Sequence, residues 1–151
     1  LFAAVVEAGV LGPLVQAEDQ VAGFSGSATE LLNTMLRNNL LEFWGSSSSG
    51  IPQLVIAEAK QFPDMAEAYF SKVTDRARQL LAAIIQLGID QNEYRSVDVE
   101  YTARCILNSL DFEIVTAHAR NENARKTFDP DRYIDALLAM LETGLKKGVA
   151  S

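Results

Sequence analysis

The chain has 151 residues, of which 48% are hydrophobic and 22% are charged, and its net charge is −7. These proportions are typical of a globular domain and argue against a disordered or membrane-embedded protein. The length predicts one domain, residues 1–151, that buries about 68–70% of its unfolded surface. The 13 Lys and Arg residues are scattered. Because phosphate contacts need a clustered basic surface, we expect no nucleic-acid contact by this chain alone.

The use of cysteine and the hydropathy pattern predict a soluble, cytoplasmic protein that meets no membrane. Cys105 is the only cysteine, which excludes an intrachain disulfide and a multi-thiolate metal site. The longest apolar runs, such as residues 80–85, are far shorter than the roughly 20 residues of a membrane span. The chain begins without Met and inside an amphipathic pattern, so we expect it to be part of a longer protein.

Helical spacing recurs throughout the chain, and no segment alternates with the period of two that a half-buried strand needs. The sequence therefore predicts an all-α fold, an antiparallel bundle of about six helices. The first helix runs to about Gly12, where Gly12-Pro13 predicts a bend or a stop, and residues 14–21 continue it at a new angle. Ser27 and Glu30 match a capping box, which opens a helix that ends near residue 44.

Serine and proline mark the next boundaries. Residues 45–50 are rich in Gly and Ser, and we interpret them as a flexible connector, with a lid as the alternative. Pro52 predicts a short helix that ends at Phe62, and Pro63 marks the junction with a long helix over residues 64–89.

Two aspartates predict the starts of the last helices. Asp98 caps a helix over residues 99–121, which the polar residues 121–127 close. Asp129 precedes a proline and opens a final helix that runs to about residue 147.

The helix over residues 99–121 is predicted to have two apolar faces. At about 100° per residue, one face and the opposite face both collect apolar side chains. One face is enough to join a core, so the second predicts contact with another copy of the chain. The first face consists of Ala103, Ile106, Leu107, Leu110, Ile114 and Ala117, and the second of Cys105, Phe112, Val115 and Ala119.

Several of these features resemble a known family. Residues 54–64, the long helix that follows, residues 88–95 and the helix that Asp98 opens resemble the C-terminal regulatory domain of TetR-type transcriptional repressors. Residues 1–6 are similar to the start of the helix that follows the helix-turn-helix head in that family.

The resemblance implies a function for the chain. It implies a ligand-responsive homodimer, with the last two helices forming an intersubunit four-helix bundle and a small-molecule effector held between the middle helices. The DNA-binding head is missing from the sequence, so the resemblance implies that operator DNA would be bound only through that head.

A set of apolar and polar residues is expected to bind the effector. Asn39 lies amid an apolar stripe, where it either pairs with a neighbouring backbone or contacts ligand. Asp111 needs a partner, which we expect to be Arg76, an Arg or His of the other subunit, solvent or ligand. The aromatic members are either plain core or pocket wall. The expected ligand-binding residues are Asn39, Phe43, Phe62, Tyr69, Val73, Leu107, Leu110, Asp111 and Ile114.

The expected dimer interface combines the second face of the 99–121 helix with the stripe of the last helix. Its residues are Cys105, Phe112, Val115, Ala119, Ile134, Leu137, Leu138, Leu141 and Leu145.

Other functional classes receive less support from the sequence. His118 is the only histidine, and we interpret it as solvated or at an interface rather than as a metal ligand. No nucleophile has a recognisable base and orienting group, so we expect no enzyme activity, no cofactor and no metal. The main alternative is a helical dimerisation module with a solid core.

Overall fold

The structure is a computed structural model that describes residues 1–148, apart from the side chain of Asn39. Over these residues the chain is helical, and its strand-like pairing is an isolated bridge between Tyr94 and Lys146. The α-helices are α1 (Phe2–Val6), α2 (Gly12–Ala22), α3 (Ala28–Thr34), α4 (Leu40–Gly45), α5 (Ile51–Glu58), α6 (Pro63–Tyr69), α7 (Asp75–Asp90), α8 (Val99–Ala119), α9 (Glu122–Lys126) and α10 (Pro130–Leu145).

Three pairs of helices are joined without a break by single π-helical turns. These three π segments connect α1 to α2, α3 to α4, and α6 to α7. Their ranges are Glu7–Leu11, Met35–Asn39 and Phe70–Thr74.

The predicted all-α fold is confirmed, as are several helix starts. The Ser27 hydroxyl accepts the Glu30 backbone N–H at 3.1 Å, which is half of the predicted capping box. The Asp98 side chain likewise accepts from the backbone of Tyr101, and Asp129 accepts from residue 132.

Of the bend or stop expected at Gly12-Pro13, the stop does not occur, and the helix continues through this point. The backbone N–H of Gly12 donates to the carbonyl of Glu7, five residues earlier, and α2 begins at this point with Pro13 in its first turn. A proline inside an α-helix clashes with the carbonyl four residues before it. The wider π turn ahead of Pro13 relieves this conflict and lets the helix continue.

Two connecting segments are more ordered than the sequence predicts. Ser47–Gly50, within the expected flexible loop, forms a 3₁₀ helix whose first turn is capped by Ser46. The polar residues after α8 contain the short helix α9, which the side chain of Asn121 caps. Both segments are stabilised by local side-chain bonds to the backbone, which hydrophobic spacing does not report.

The buried side chains form two hydrophobic clusters. The larger cluster joins α3, α7, α8 and α10 and includes Leu31, Ile84, Leu110 and Ile134. The smaller cluster joins α1 and its π segment to α5 and α6, with Val55 fully buried at its centre. This division leaves the middle of α8 next to both clusters.

The turn between α7 and α8 fixes the C-terminal end of α10. The backbone N–H of Arg95 donates to the carbonyl of Leu145 at 2.9 Å, and the Arg95 guanidinium donates to the carbonyl of Gly144. The ring of Tyr94 packs directly against Gly88 of α7. Along residues 1–148, no helix is long and apolar enough to cross a membrane.

Candidate ligand-binding site

A cavity of about 170 Å³ lies between the two hydrophobic clusters and opens to solvent; we call it the inner cavity. The α2, α5, α7 and α8 helices contribute to its wall, together with all three π segments. It is lined by Val10, Pro13, Leu14, Ala17, Met35, Leu36, Leu40, Phe43, Pro52, Tyr69, Val73, Ala77, Leu80, Leu81, Leu107, Leu110, Asp111 and Ile114.

Most of the side chains expected to bind ligand meet at this cavity. The side chain of Asn39 lies outside the described part of the structure, so its expected contact has no structural counterpart. The expected residues at the cavity wall are Phe43, Tyr69, Val73, Leu107, Leu110, Asp111 and Ile114.

Phe62 does not lie at the cavity. Its side chain is 49% exposed at the junction between α5 and α6. A residue that precedes proline is restricted to extended backbone conformations, and Phe62 has φ −128° and ψ 67° ahead of Pro63. This conformation turns the ring away from the helical stripe that its sequence position suggests.

The first helix supplies part of the wall that the sequence analysis missed. Val10, Leu14 and Ala17 line the cavity at the i, i+4 and i+7 spacing of one helix face. This spacing was visible in the sequence, but the expected break at Pro13 divided it between two helices.

Among the described side chains, the wall of the inner cavity is apolar except for two groups. Asp111 lies on α8 and contributes a carboxylate, and Tyr69, the last residue of α6, contributes a phenol hydroxyl. The Tyr69 ring is buried and packs edge-on against Phe70, with the ring centroids 6.1 Å apart. A cavity with a mostly apolar wall and a few placed polar groups is typical of small-molecule sites.

Burial changes the acidity of both groups. The pKa of the Asp111 carboxyl is raised to about 6, because burial removes the solvation that stabilises its charged form. Burial, and then the nearby charge of Asp111, also raise the pKa of the Tyr69 hydroxyl well above its ordinary range. At neutral pH the site therefore holds a neutral phenol and a poorly solvated carboxylate.

Asp111 has no ion-pair or hydrogen-bond partner among the described residues. Arg76, an expected partner, forms a two-pronged pair with Glu18 of α2 at 3.0 and 2.6 Å. The guanidinium of Arg104 lies 5.6 Å from the centroid of the Tyr101 ring. The structure thus corrects the expectation of an Arg76 partner, since Glu18 occupies that arginine.

His118 is also engaged elsewhere. Its Nε2 lies 2.9 Å from the Oγ of Ser49, whose hydroxyl also lies within hydrogen-bond distance of the Ser46 carbonyl. Ser49 is only 3% exposed. This contact joins the serine-rich segment to α8, and the burial of Ser49 leaves no room for a substrate next to the Ser–His pair.

A second concavity, the outer groove, has a volume of about 360 Å³ and shares part of its wall with the inner cavity. Asp111 and Tyr69 belong to the shared wall, so the carboxylate lies between the two spaces. The shared residues are Pro52, Tyr69, Val73, Ala77, Leu107 and Asp111, and the others at the groove are Ile56, Phe70, Thr74, Asn108, Phe112 and Val115.

A cleft of about 270 Å³ between α3 and α10 differs in character. Glu93, Glu142 and Lys146 line it, and the Glu93 carboxylate already accepts the Thr29 hydroxyl at 2.8 Å. Glu93, unlike Asp111, therefore has a hydrogen-bond partner within the protein.

The expected interface residues separate into two groups. On α8, Phe112 is 67% exposed, Cys105 and Ala119 are exposed, and Val115 is half-buried. On α10, Leu141 is half-buried, whereas four expected contacts lie in the larger cluster of their own chain. These four are Ile134, Leu137, Leu138 and Leu145.

The burial of those four side chains corrects the expected role of the α10 stripe. An apolar stripe shows that a helix covers a hydrophobic surface, but not whether that surface belongs to its own chain. Here α10 packs onto its own core and presents Met140 to solvent, with 66% of that residue exposed.

Residues 63–132 match the family model described as tetracyclin repressor-like, C-terminal domain. The matched range begins at the first residue of α6, contains the whole of α8, and ends in the first turn of α10. It includes both Tyr69 and Asp111. No curated protein and no solved structure matches the chain.

Proposed function

We propose that the chain is the ligand-responsive regulatory domain of a TetR-type transcriptional regulator, because residues 63–132 match the tetracyclin repressor-like, C-terminal domain model. The inner cavity is the observation that carries this proposal. A solid-core dimerisation module has no need of an apolar space of about 170 Å³ with an unpaired carboxylate at its wall. A small amphipathic effector would bind there.

The position of the cavity supports a route for regulation. The first helix supplies Val10, Pro13, Leu14 and Ala17 to the wall, so a bound effector would contact this helix directly. An effector regulates only if it binds two arrangements of the protein with different affinity. Repacking of the first helix against α7 and α8 would provide the second arrangement. As the resemblance implies, the output would reach operator DNA through a helix-turn-helix head joined to the first helix.

The exposed apolar side of α8 supports a homodimer as part of the same proposal. Tyr101, Cys105, Phe112 and Ala119 are exposed along this helix, and Met140 is exposed on α10. Exposed apolar side chains that share one side of a helix are typical of a protein interaction site. The second copy would cover this surface, while the buried stripe of α10 stabilises each subunit.

Thermal unfolding in the presence of a library of amphipathic compounds tests the effector site. We expect at least one compound to raise the melting temperature of the wild-type chain. Ala77→Phe places a ring where the inner cavity and the outer groove share a wall, and it should abolish that shift. Ala83→Phe adds the same ring to an exposed position of the same helix and should preserve it.

The proposal fails if no compound in the library raises the melting temperature. It also fails if Ala77→Phe binds the compound as tightly as the wild type does. For this comparison the variant must show the same helix content as the wild type by circular dichroism. The solid-core module predicts the first of these outcomes.

A further inference from the structure

Asp111 is the only charged residue at the wall of either the inner cavity or the outer groove, among the residues that the structure describes. The other polar groups there are the hydroxyls of Tyr69 and Thr74 and the amide of Asn108. A carboxylate in a largely apolar space is costly unless an opposite charge or hydrogen-bond donors compensate it. The protein holds this charge without such compensation.

No cation among the described residues forms an ion pair with Asp111. Arg76 pairs with Glu18, and Arg78 pairs with Asp75 at 2.7 Å. Arg104 and His118 lie one two-turn step on either side of Asp111 on the same helix, about 10 Å away along the axis, too far to pair with it directly. A missing counter-charge at the wall of a cavity points to a ligand that brings it.

We propose that the effector is a small amphipathic cation, in which one protonated amine is attached to an apolar body. This inference rests on the proposed function and specifies the ligand class of the same site. The ammonium group would lie against the Asp111 carboxylate and would donate hydrogen bonds to it. Tyr69 lies at the same wall, and its ring would add a cation–π contact.

The volume of the inner cavity limits the apolar body. An apolar cavity of about 150 Å³ holds a single benzene ring, and the inner cavity has about 170 Å³. The body would therefore be one aromatic ring or a short alkyl chain, packed among Leu36, Leu110 and Ile114. Asp111 also borders the outer groove, so a larger ligand would keep its ammonium at the shared wall and extend a substituent outward.

Three probes of matched shape test the charge of the ligand. Phenethylamine is a cation at pH 7.5, 2-phenylethanol is neutral, and 3-phenylpropionate is an anion. Their dissociation constants can be measured by chemical-shift titration of the ¹⁵N-labelled chain. We expect phenethylamine to bind at least tenfold more tightly than 2-phenylethanol, and 3-phenylpropionate to bind most weakly.

Two variants test whether Asp111 is the source of this preference. Asp111→Asn retains the shape of the side chain without its charge, and it should lower the affinity for phenethylamine to that for 2-phenylethanol. The affinity for 2-phenylethanol should change less than twofold. Glu113→Gln removes a charge from the same helix at a position outside both walls, and it should preserve the preference.

The inference is overturned if phenethylamine shows no preference over 2-phenylethanol in the wild type, if Asp111→Asn retains the preference, or if none of the three probes binds. Binding of the alcohol or the anion without preference for the amine would leave the proposed effector site intact and would overturn only the ligand class. If no compound in the library raised the melting temperature, the proposed effector site itself would be overturned.

Discussion

The hydroxyl of Ser49 lies 2.9 Å from Nε2 of His118, and this contact joins two segments that are 69 residues apart. Ser49 lies within the 3₁₀ helix Ser47–Gly50, and His118 lies in the last turn of α8. Residues 46–50, whose composition predicts a flexible connector, are thereby held against the helix that carries Asp111.

Replacement of Ser49 should show how much this contact stabilises the fold. Ser49→Ala leaves the imidazole without its hydroxyl partner, and we expect the free energy of unfolding to fall by about 1–2 kcal/mol. Urea denaturation measures the change. Ser47→Ala, on an exposed side chain of the same 3₁₀ helix, should change the free energy by less than about 0.5 kcal/mol. Equal effects of the two substitutions would show that the His118 contact contributes nothing.

Asp111→Asn should stabilise the protein at neutral pH. The pKa of Asp111 is about 6 in the folded chain, compared with an ordinary value of 3.8. Between these values the folded state binds the proton more tightly than the unfolded state, so stability falls as the pH rises from about 4 to about 6. The asparagine side chain does not titrate, so the variant does not lose this stability. We expect a gain on the order of 1–3 kcal/mol at pH 7 and almost none at pH 3.5.

Urea denaturation of wild type and variant at both pH values measures that gain. Burial and the charge of Arg125 lower the pKa of His118, so His118 gives a pH slope of opposite sign, but it is present in both proteins and cancels in their difference. Tyr69, the other titratable group at the wall, stays neutral throughout this range. A loss of stability in Asp111→Asn at pH 7 would instead identify a structural partner for the carboxylate.

Phe112→Glu should disrupt the proposed dimer. The substitution places a charge in the centre of the exposed apolar side of α8, and desolvating that charge would weaken association at least about tenfold. Sedimentation velocity at micromolar concentration should show a dimer for the wild type and a monomer for the variant. Phe62→Glu changes an exposed ring at the junction between α5 and α6 and should remain dimeric. If the wild-type chain sedimented as a monomer, the proposed dimer would be overturned.

Gly88→Ala should be strongly destabilising. A methyl group added at this position would lie 2.1 Å from the ring of Tyr94, which is itself buried. Moving this ring disturbs the turn that holds the end of α10, and we expect a loss of about 1–3 kcal/mol in the free energy of unfolding. Gly45→Ala meets no atom within 4 Å and should be neutral or stabilising by up to about 1 kcal/mol. Thermal and urea unfolding of the two variants give the comparison.

The two faces of α8 could be predicted from the sequence because helical spacing fixes which side chains share a side. Ala103, Ile106 and Leu110 are buried as expected, and Phe112 on the opposite side is exposed. The same reasoning brought Leu107, Asp111 and Ile114 together, and all three lie at the wall of the inner cavity.

Other parts of the site depend on contacts between distant segments, which spacing along one helix does not contain. The pairing of Arg76 with Glu18 joins residues 58 positions apart and leaves Asp111 without a cation. The stripe of α10 was predicted correctly as apolar, but Ile134 covers its own core rather than a partner. The π segment before Pro13 could not be predicted either, because its altered backbone hydrogen bonds leave no recognisable pattern of side chains in the sequence.

The three π segments give the cavity wall a backbone whose hydrogen bonds can rearrange. Each contributes at least one lining side chain, such as Val10, Met35 or Val73. A π turn returns to α geometry when its amides exchange one carbonyl partner for the neighbouring one, without unwinding the helix ends. We expect amide hydrogen exchange within these turns to be faster than in the flanking α-helical turns, and to slow when the cavity is filled. The π-helical turns of three helices thus line the space that a ligand would fill.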